Sequence, residues 1–457
     1  MSHCSSMVRS VPVAMVLAGC LMGWPGDSKP TRYEFTTVAK LGQTAPNGSG
    51  ALTFGFEHVA INNHGNISFG AYLPDGSEAM FYFSGGRLRQ IATPGQEAPG
   101  GGTFDPWGLC GGPTAIDYQG DVIFAFALTP YGPAYSQHCG LYRYSAGRGK
   151  VSAIVVPGKT LDPWRHPFRG AGGFTLSLNP LGAVFGAMFE SPDAMQGDNG
   201  LGIGVFAAGL FGIRKVVAPG DPGPDGKTFD YAQNVTGNLW GDVAFGGHLK
   251  GEKCKPAGSE APDIFCYESV FLKDGWHGGI HSIARQDTPI PASAGAGEFD
   301  FAFGPIINAR RSIVFIGGLK TDPPVSPAPL GVFRWSNGVL RSVARPGDLM
   351  PGGRHLVNTS FYVGAYDLNE RDDITFVGVL DNGDHGVYLW SDGSLSLVAK
   401  KGTILPGIGE IEHLNLLGTA FGLPTIYPVA RMNDRGEIVF GAQIKGGAGV
   451  LVKASPR

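Results

Sequence analysis

Few residues of this sequence are of a type and spacing that could do chemistry. The most regular is a polar position that follows each Pro-Gly phrase or its equivalent: Gln43, Gln96, Lys159, Asp221, Asp287, Asp348 and Thr403. Seven such side chains around one axis, three successive ones aspartate, would make a polar ring able to bind a cation or a sugar. The rival reading is that each caps its own turn, because short polar side chains readily bond nearby backbone groups. Other signals are weaker. Gly158-Lys159-Thr160 and Gly226-Lys227-Thr228 look like the end of a phosphate loop, but Ala153 and Asp221 stand where the earlier glycine is required and no helix follows. Both read as turns. No Gly-x-Ser-x-Gly elbow or His-Glu-x-x-His occurs. Asp193, Asp198, Asp381 and Asp384 lack the spacing of a calcium loop. The 11 histidines are scattered, with His138 and His248 next to long loops. No catalytic residue, metal ligand or cofactor follows from these patterns. Carboxylates paired across distant segments for glycosidase work cannot be read from a linear chain.

The N-terminus carries Arg9, then an apolar stretch from Val11 to Ala18, then Leu17-Ala18-Gly19-Cys20, the layout of an export signal. The apolar and small residues end at Trp24, short of the 18 or more that a membrane span needs. Leu-Ala-Gly-Cys resembles the bacterial lipobox, whose cysteine is lipidated and becomes the first residue of the mature chain. That resemblance implies a signal over 1–19, lipidation at Cys20, and an anchor and linker over 20–32; Met7 is a second possible start. The alternative is a general secretory signal in which Cys20 is incidental. Cys110, Cys139, Cys254 and Cys266 remain after Cys4 and Cys20 are set aside. An even number in an exported chain reads as two disulfides, and spacing favours Cys110–Cys139 and Cys254–Cys266. Zinc is the rival, but no Cys-x-x-Cys or His-x₃-His accompanies these cysteines.

The elements that position these residues follow from composition. Glycine supplies 73 and proline 34 of the 457 residues, roughly twice the usual combined share of about 12%. Disorder is excluded, since 43% of the chain is hydrophobic and 11% aromatic. Long helices are excluded too, because interior glycine costs about 1 kcal/mol and proline about 3. An all-β protein of many short strands remains. Net charge is −3 with 16% charged residues, so no surface is basic enough to attract nucleic acid or anionic lipid. Small neutral or carbohydrate-like partners stay open.

Self-similarity organises the rest. Asn-x-x-Gly-x-x-x-Phe recurs about every 60 residues, beginning at Asn62, Asp117, Asn179, Asn238, Asn308, Asn369 and Asn433. The third copy is one residue short, and the fifth and sixth replace glycine by Arg311 and Asp372. The Asx side chain bonds the backbone two residues on and glycine supplies a left-handed conformation, so the phrase predicts a hairpin turn. Arg311 should cost about 1 kcal/mol there or adopt another turn. Residues two apart after each turn, such as Ile67 and Phe69 or Ile438 and Phe440, share one strand face and form a core stripe. A Gly-Val-Phe strand, a Ser-x-Gly turn and a strand ending near Val-Ala-x-Pro-Gly complete each unit.

Seven four-stranded units predict a single seven-bladed β-propeller over 33–457. Phe35 to Gly42 reads as a fourth strand without predecessors and Gly449 to Lys453 as a third without a successor. One completes the other and closes the ring, leaving no open sheet edge.

These phrases resemble a family of bacterial exported proteins with tandem Asn-x-x-Gly-x-x-x-Phe repeats, varied surface anchors and no assigned activity. The resemblance spans nearly all of 33–457 and transfers no catalytic residues. Loops joining second to third strands are long at 129–139, 190–202, 250–268 and 319–330, and both expected disulfides touch them. Binding is therefore expected on that face, since elaborated loops on a rigid scaffold commonly carry function; the face of tight Asn-x-x-Gly turns is not expected to bind. The favoured function is a monomeric, exported, membrane-tethered scaffold that binds a ligand or protein at the bacterial cell envelope. The alternative is a polysaccharide-acting hydrolase or lyase with its site at the channel mouth. A purely structural repeat protein is a third reading.

Overall fold

A computed structural model describes residues 33–457, apart from 54, 130–137, 180–181, 194–199, 253–267, 276–277, 324, 326–327, 361, 415–416, 419–424 and 427–428. Cys20, Cys254 and Cys266, and with them lipidation and the second expected disulfide, lie outside the described residues.

Seven antiparallel four-stranded sheets stand in a ring, giving the expected seven-bladed β-propeller. Blade 1 is Phe56–Ile61, Ile67–Tyr72, Glu78–Ser84 and Arg87–Ala92, hydrogen-bonded in that order. Blade 4 is Phe229–Gly237, Val243–Leu249, Ser269–Lys273 and Ile280–Ala284, and blade 5 is Phe299–Ile307, Ile313–Leu319, Leu330–Ser336 and Val339–Ala344. First strands of neighbouring blades touch one another and line the axis, while fourth strands form the outer edges.

The phenylalanine of each repeat has the role its spacing implies. Phe69, Phe185, Phe245, Phe315 and Phe376 lie directly opposite Phe81, Phe206, Phe271, Phe333 and Tyr388 of the third strands. Their rings stack with centroids 5.5 to 6.2 Å apart. Offset aromatic pairs add about 0.5–1.5 kcal/mol beyond their burial, so these five blades each carry an aromatic centre, whereas Phe440 of blade 7 faces Val452.

Blade 7 is built from both ends of the chain. Tyr33–Lys40 pairs antiparallel with Gly449–Pro456, running from Tyr33 opposite Pro456 to Lys40 opposite Val450. Val38 and Ala39 are buried in this seam.

Within the ring, the first strands break at mid-length. Bulges fall between Glu57 and Ala60, Gln233 and Thr236, and Phe303 and Ile306. In blade 2 the break widens into an inserted loop between Thr103–Leu109 and Ala115–Ile116. Cys110 of that loop is disulfide-bonded to Cys139, as expected from spacing. Closing a span of 29 residues contributes about 3–4 kcal/mol by restricting the unfolded chain, and it ties the loop to the third strand of the same blade, Cys139–Ser145.

Arg311 and Asp372 keep the left-handed turn, with φ of 62° and 72°, instead of changing turn type. At Arg311 the strain is offset by ion pairs: its guanidinium reaches Asp274 and lies 3.3 Å from Asp242.

Candidate functional site

The polar positions singled out in the sequence lie after the outermost strands, spread around the outer edge of the ring. Gln43, Asp221, Asp348 and Thr403 each accept a hydrogen bond from the backbone N–H three residues earlier, on Lys40, Ala218, Arg345 and Lys400. After blades 2 and 4 the capping side chains are Thr160 and Thr288, one residue beyond Lys159 and Asp287. Lys159 instead donates to the Gly100 carbonyl, and Asp287 pairs with Lys320. Gln96 is exposed, with its N–H bonded to the Thr93 carbonyl. No hydrogen bond or ion pair joins any two of the seven among the described residues.

The axis itself opens among the Asn-x-x-Gly turns, the face that loop length did not mark for binding. There a cavity of about 1080 Å³ is lined by residues of all seven blades. Its wall is built by the repeat asparagines in a way that a turn motif alone does not reveal. In Asn62, Asn238, Asn308, Asn369 and Asn433 the Oδ1 accepts the N–H groups two and four residues on, as Asn308 does from Arg310 and Ser312. Each Nδ2 donates to the corresponding carbonyl of the next blade: Asn238 to Asn308, Asn308 to Asn369, Asn369 to Asn433, Asn433 to Asn62, and Asn62 to Asp117, at 2.8 to 3.3 Å. Asparagine suits this position because one amide both accepts and donates. A carboxylate only accepts, so Asp117 caps its own turn through Asp121 N–H and extends no such bond to blade 3.

Carboxylates at this mouth are held by neighbours. Glu370 accepts the Ala309 N–H, and Asp434 accepts the Glu370 N–H and an amide of Asn63. Asp367 accepts the Met432 N–H and lies 3.3 Å from Arg431 Nε; burial raises its pKa, with Arg431 acting the other way. Around blades 2 to 4 the rim is apolar: Tyr118, Leu210, Phe211, Leu239 and Trp240 are all exposed, with Phe211 and Leu210 at a hairpin tip. Trp240 is 70% exposed yet fixed in direction, since its indole N–H donates to the Ala309 carbonyl. Tyr118 packs on His64 with centroids 4.3 Å apart.

A second cluster, buried at the bulge of blade 1, joins Glu57, His58 and Glu78. His58 has a left-handed φ of 54°, and its Nδ1 lies 2.7 Å from the Gly112 carbonyl on the inserted loop of blade 2. Glu78 Oε2 accepts the Leu109 N–H at 2.9 Å. Burial raises the pKa of Glu57 to about 7, against a hydrogen bond from Tyr72. Glu78 is raised well above its ordinary value by burial and by the Glu57 charge, and burial lowers His58 to about 4.

Blade 4 carries Gln233, Asn234 and Glu268 at the same three places. Gln233 and Asn234 occupy the same bulge, and Glu268, like Glu78, immediately precedes or begins the third strand. There the chemistry is closed: Asn234 Nδ2 lies 2.7 Å from both Glu268 oxygens, and Gln233 also donates to Glu268. Sequence reasoning missed both clusters. The signal exists, as a polar pair five and four residues before the repeat asparagine plus a glutamate three before the third-strand phenylalanine, in blades 1 and 4 alone. It emerges only once the blades are superimposed.

A closed seven-bladed propeller with an axial mouth and a buried acid-histidine cluster defines the class. The chain belongs to the DUF7453 family, a family of unknown function, which matches residues 28–455. A search of curated proteins found no match. In fold the chain is similar to a Mycobacterium tuberculosis puromycin-hydrolyzing peptidase at 12% identity and a TM-score of 0.51. That alignment covers 92% of this chain and 54% of the peptidase, so the chain spans about half of it. It is also similar to the β-propeller domain of the Trilobed protease from Pyrococcus furiosus (9% identity, TM-score 0.46, 88% and 95% covered) and to the polysaccharide lyase Uly1 (8%, 0.45, 93% and 99%). At such identities the likeness is one of fold.

Proposed function

We propose that this protein is an exported binding propeller, tethered to a bacterial envelope membrane through Cys20, that takes a carbohydrate chain at the axial mouth on its Asn-turn face. The observation that carries the reading is the cavity of about 1080 Å³, of mixed polar and apolar lining, with Tyr118 on its wall and exposed Trp240 next to the lining residue Leu239. Flat aromatic faces suit the CH-rich faces of sugar rings, and the exposed Gln119 side-chain amide of the lining suits their hydroxyls. The held indole of Trp240 lowers the ordering cost of binding. A weak net charge of −3 fits a neutral ligand. Binding is proposed over polysaccharide cleavage because Asp117, Asp367, Glu370 and Asp434 at the mouth each serve a structural bond to a backbone amide.

Titrating the purified chain with soluble neutral and acidic glycans by calorimetry tests this. Trp240→Ala should weaken the bound glycan roughly tenfold, about 1.4 kcal/mol, whereas Val339→Ser on the outer strand of blade 5 should leave affinity unchanged. Equal affinity in wild type and Trp240→Ala, or binding to none of the glycans, would overturn the reading. For the tether, Cys20→Ser should move the protein from the membrane to the soluble fraction; unchanged retention would refute it.

A further inference from the structure

We infer that Glu57, His58 and Glu78 of blade 1 form a binding site for one divalent first-row cation, Zn²⁺ fitting best, whose ligands the inserted segment of blade 2 holds in place through Gly112 and Leu109. The site is independent of the glycan reading above.

The donor set is the first reason. The three ligand atoms lie within 4.8 Å of one another and all three residues are buried. The Gly112 carbonyl can only accept, so His58 Nδ1 carries the hydrogen in their 2.7 Å bond, and Nε2 of the neutral ring presents a lone pair. That lone pair faces carboxylate oxygens, Glu57 Oε2 at 3.7 Å and Glu78 Oε1 at 3.5 Å. Among the described residues no hydrogen-bond donor reaches Glu78 Oε1. Three acceptors converging away from water need a cation or shared protons, since an unpaired buried charge is strongly disfavoured. Tetrahedral ligands about 2.0–2.1 Å from Zn²⁺ sit about 3.3–3.4 Å apart, close to the two separations observed.

Blade 4 is the internal control. At the same backbone positions Gln233 and Asn234 supply amide donors, so Glu268 is satisfied with nothing added. Blade 1 replaces both donors by a carboxylate and an imidazole, and keeps the glutamate. Both blades also clear the same space: a Cβ on Gly70 would lie 2.3 Å from Glu78 Oε1, and one on Gly246 would lie 2.3 Å from Glu268 Oε2. Outer partners are in place as metal sites require, with Gly112 orienting His58, Leu109 N–H holding Glu78 and Tyr72 bonded to Glu57. Three protein ligands leave a fourth position for water.

The test uses the full mature chain, stripped with EDTA and then given Zn²⁺ or Mn²⁺, with metal content measured after gel filtration. Wild type should retain one metal per chain, and its Tm should rise by roughly 2–4 °C at a hundredfold excess over Kd. The double variant Glu57→Gln/His58→Asn, which copies blade 4, should fold, retain no metal and show no metal-dependent Tm. If that pair fails to fold, Glu78→Gln alone should still abolish stoichiometric retention. Wild type without metal and without a Tm response means that shared protons hold the cluster, and overturns the inference. So does the same retention in either variant.

Discussion

Removing residues 33–40 should leave a chain that no longer melts as one cooperative unit at the wild-type temperature. The segment buries Val38 and Ala39, packs Tyr33 and Phe35 on blade 7, and covers the backbone of Gly449–Pro456 along its length. Losing that apolar burial together with the ladder costs roughly 5–10 kcal/mol, comparable with the whole stability of a typical domain. It also exposes a long apolar edge strand, so the truncated chain should associate. A rearranged chain separates this effect from general damage. Because Tyr33 lies opposite Pro456, a chain that starts at Leu41 and continues after Arg457 through an Asn-Gly turn into Tyr33–Lys40 should recover the native transition. An unchanged Tm on simple truncation would refute closure by this strand.

Replacing Asn308 by aspartate should cost about 2–4 kcal/mol although the two side chains are nearly isosteric. The carboxylate would keep the oxygen that accepts from Arg310 and Ser312. It would lose the amide that donates to the Asn369 carbonyl at 2.9 Å and to Asp372 at 2.8 Å, and would set a second carboxylate against Asp372. Asn308 is buried, so both the unsatisfied carbonyl and the like-charge contact weigh fully. Urea denaturation measures the difference. A change below about 0.5 kcal/mol would mean that Asn308 is only a turn cap and that the interblade bond contributes little. The charge contribution can be isolated by combining Asn308→Asp with Asp372→Asn, which should recover part of the loss.

The two substitutions at the repeat glycine show how far the sequence could be read. At Arg311 a strained or altered turn was expected; the turn persists because Asp242 and Asp274, both from blade 4, hold the guanidinium. Local chemistry named the cost, but the compensating charges lie tens of residues away. The polar positions from Gln43 to Thr403 tell the same story in reverse. Their recurrence looked like a possible ring, while four of them bond the backbone of their own turns.

By itself, the sequence determined the architecture. Glycine turns, the two-residue spacing of apolar side chains and the complementary chain ends are local or periodic features, and they suffice for seven blades of four strands and the closing strand. Tertiary structure alone decided what meets what. The repeat asparagines became bonds between blades because the ring brings each turn beside the next blade's carbonyl. Glu57, His58 and Glu78 came together because a bulge turns His58 inward while an inserted loop from another blade seals it. Periodicity reports which face of a strand a residue occupies. Whether two buried acids and an imidazole converge there depends on register and on contacts between blades, which no linear spacing records.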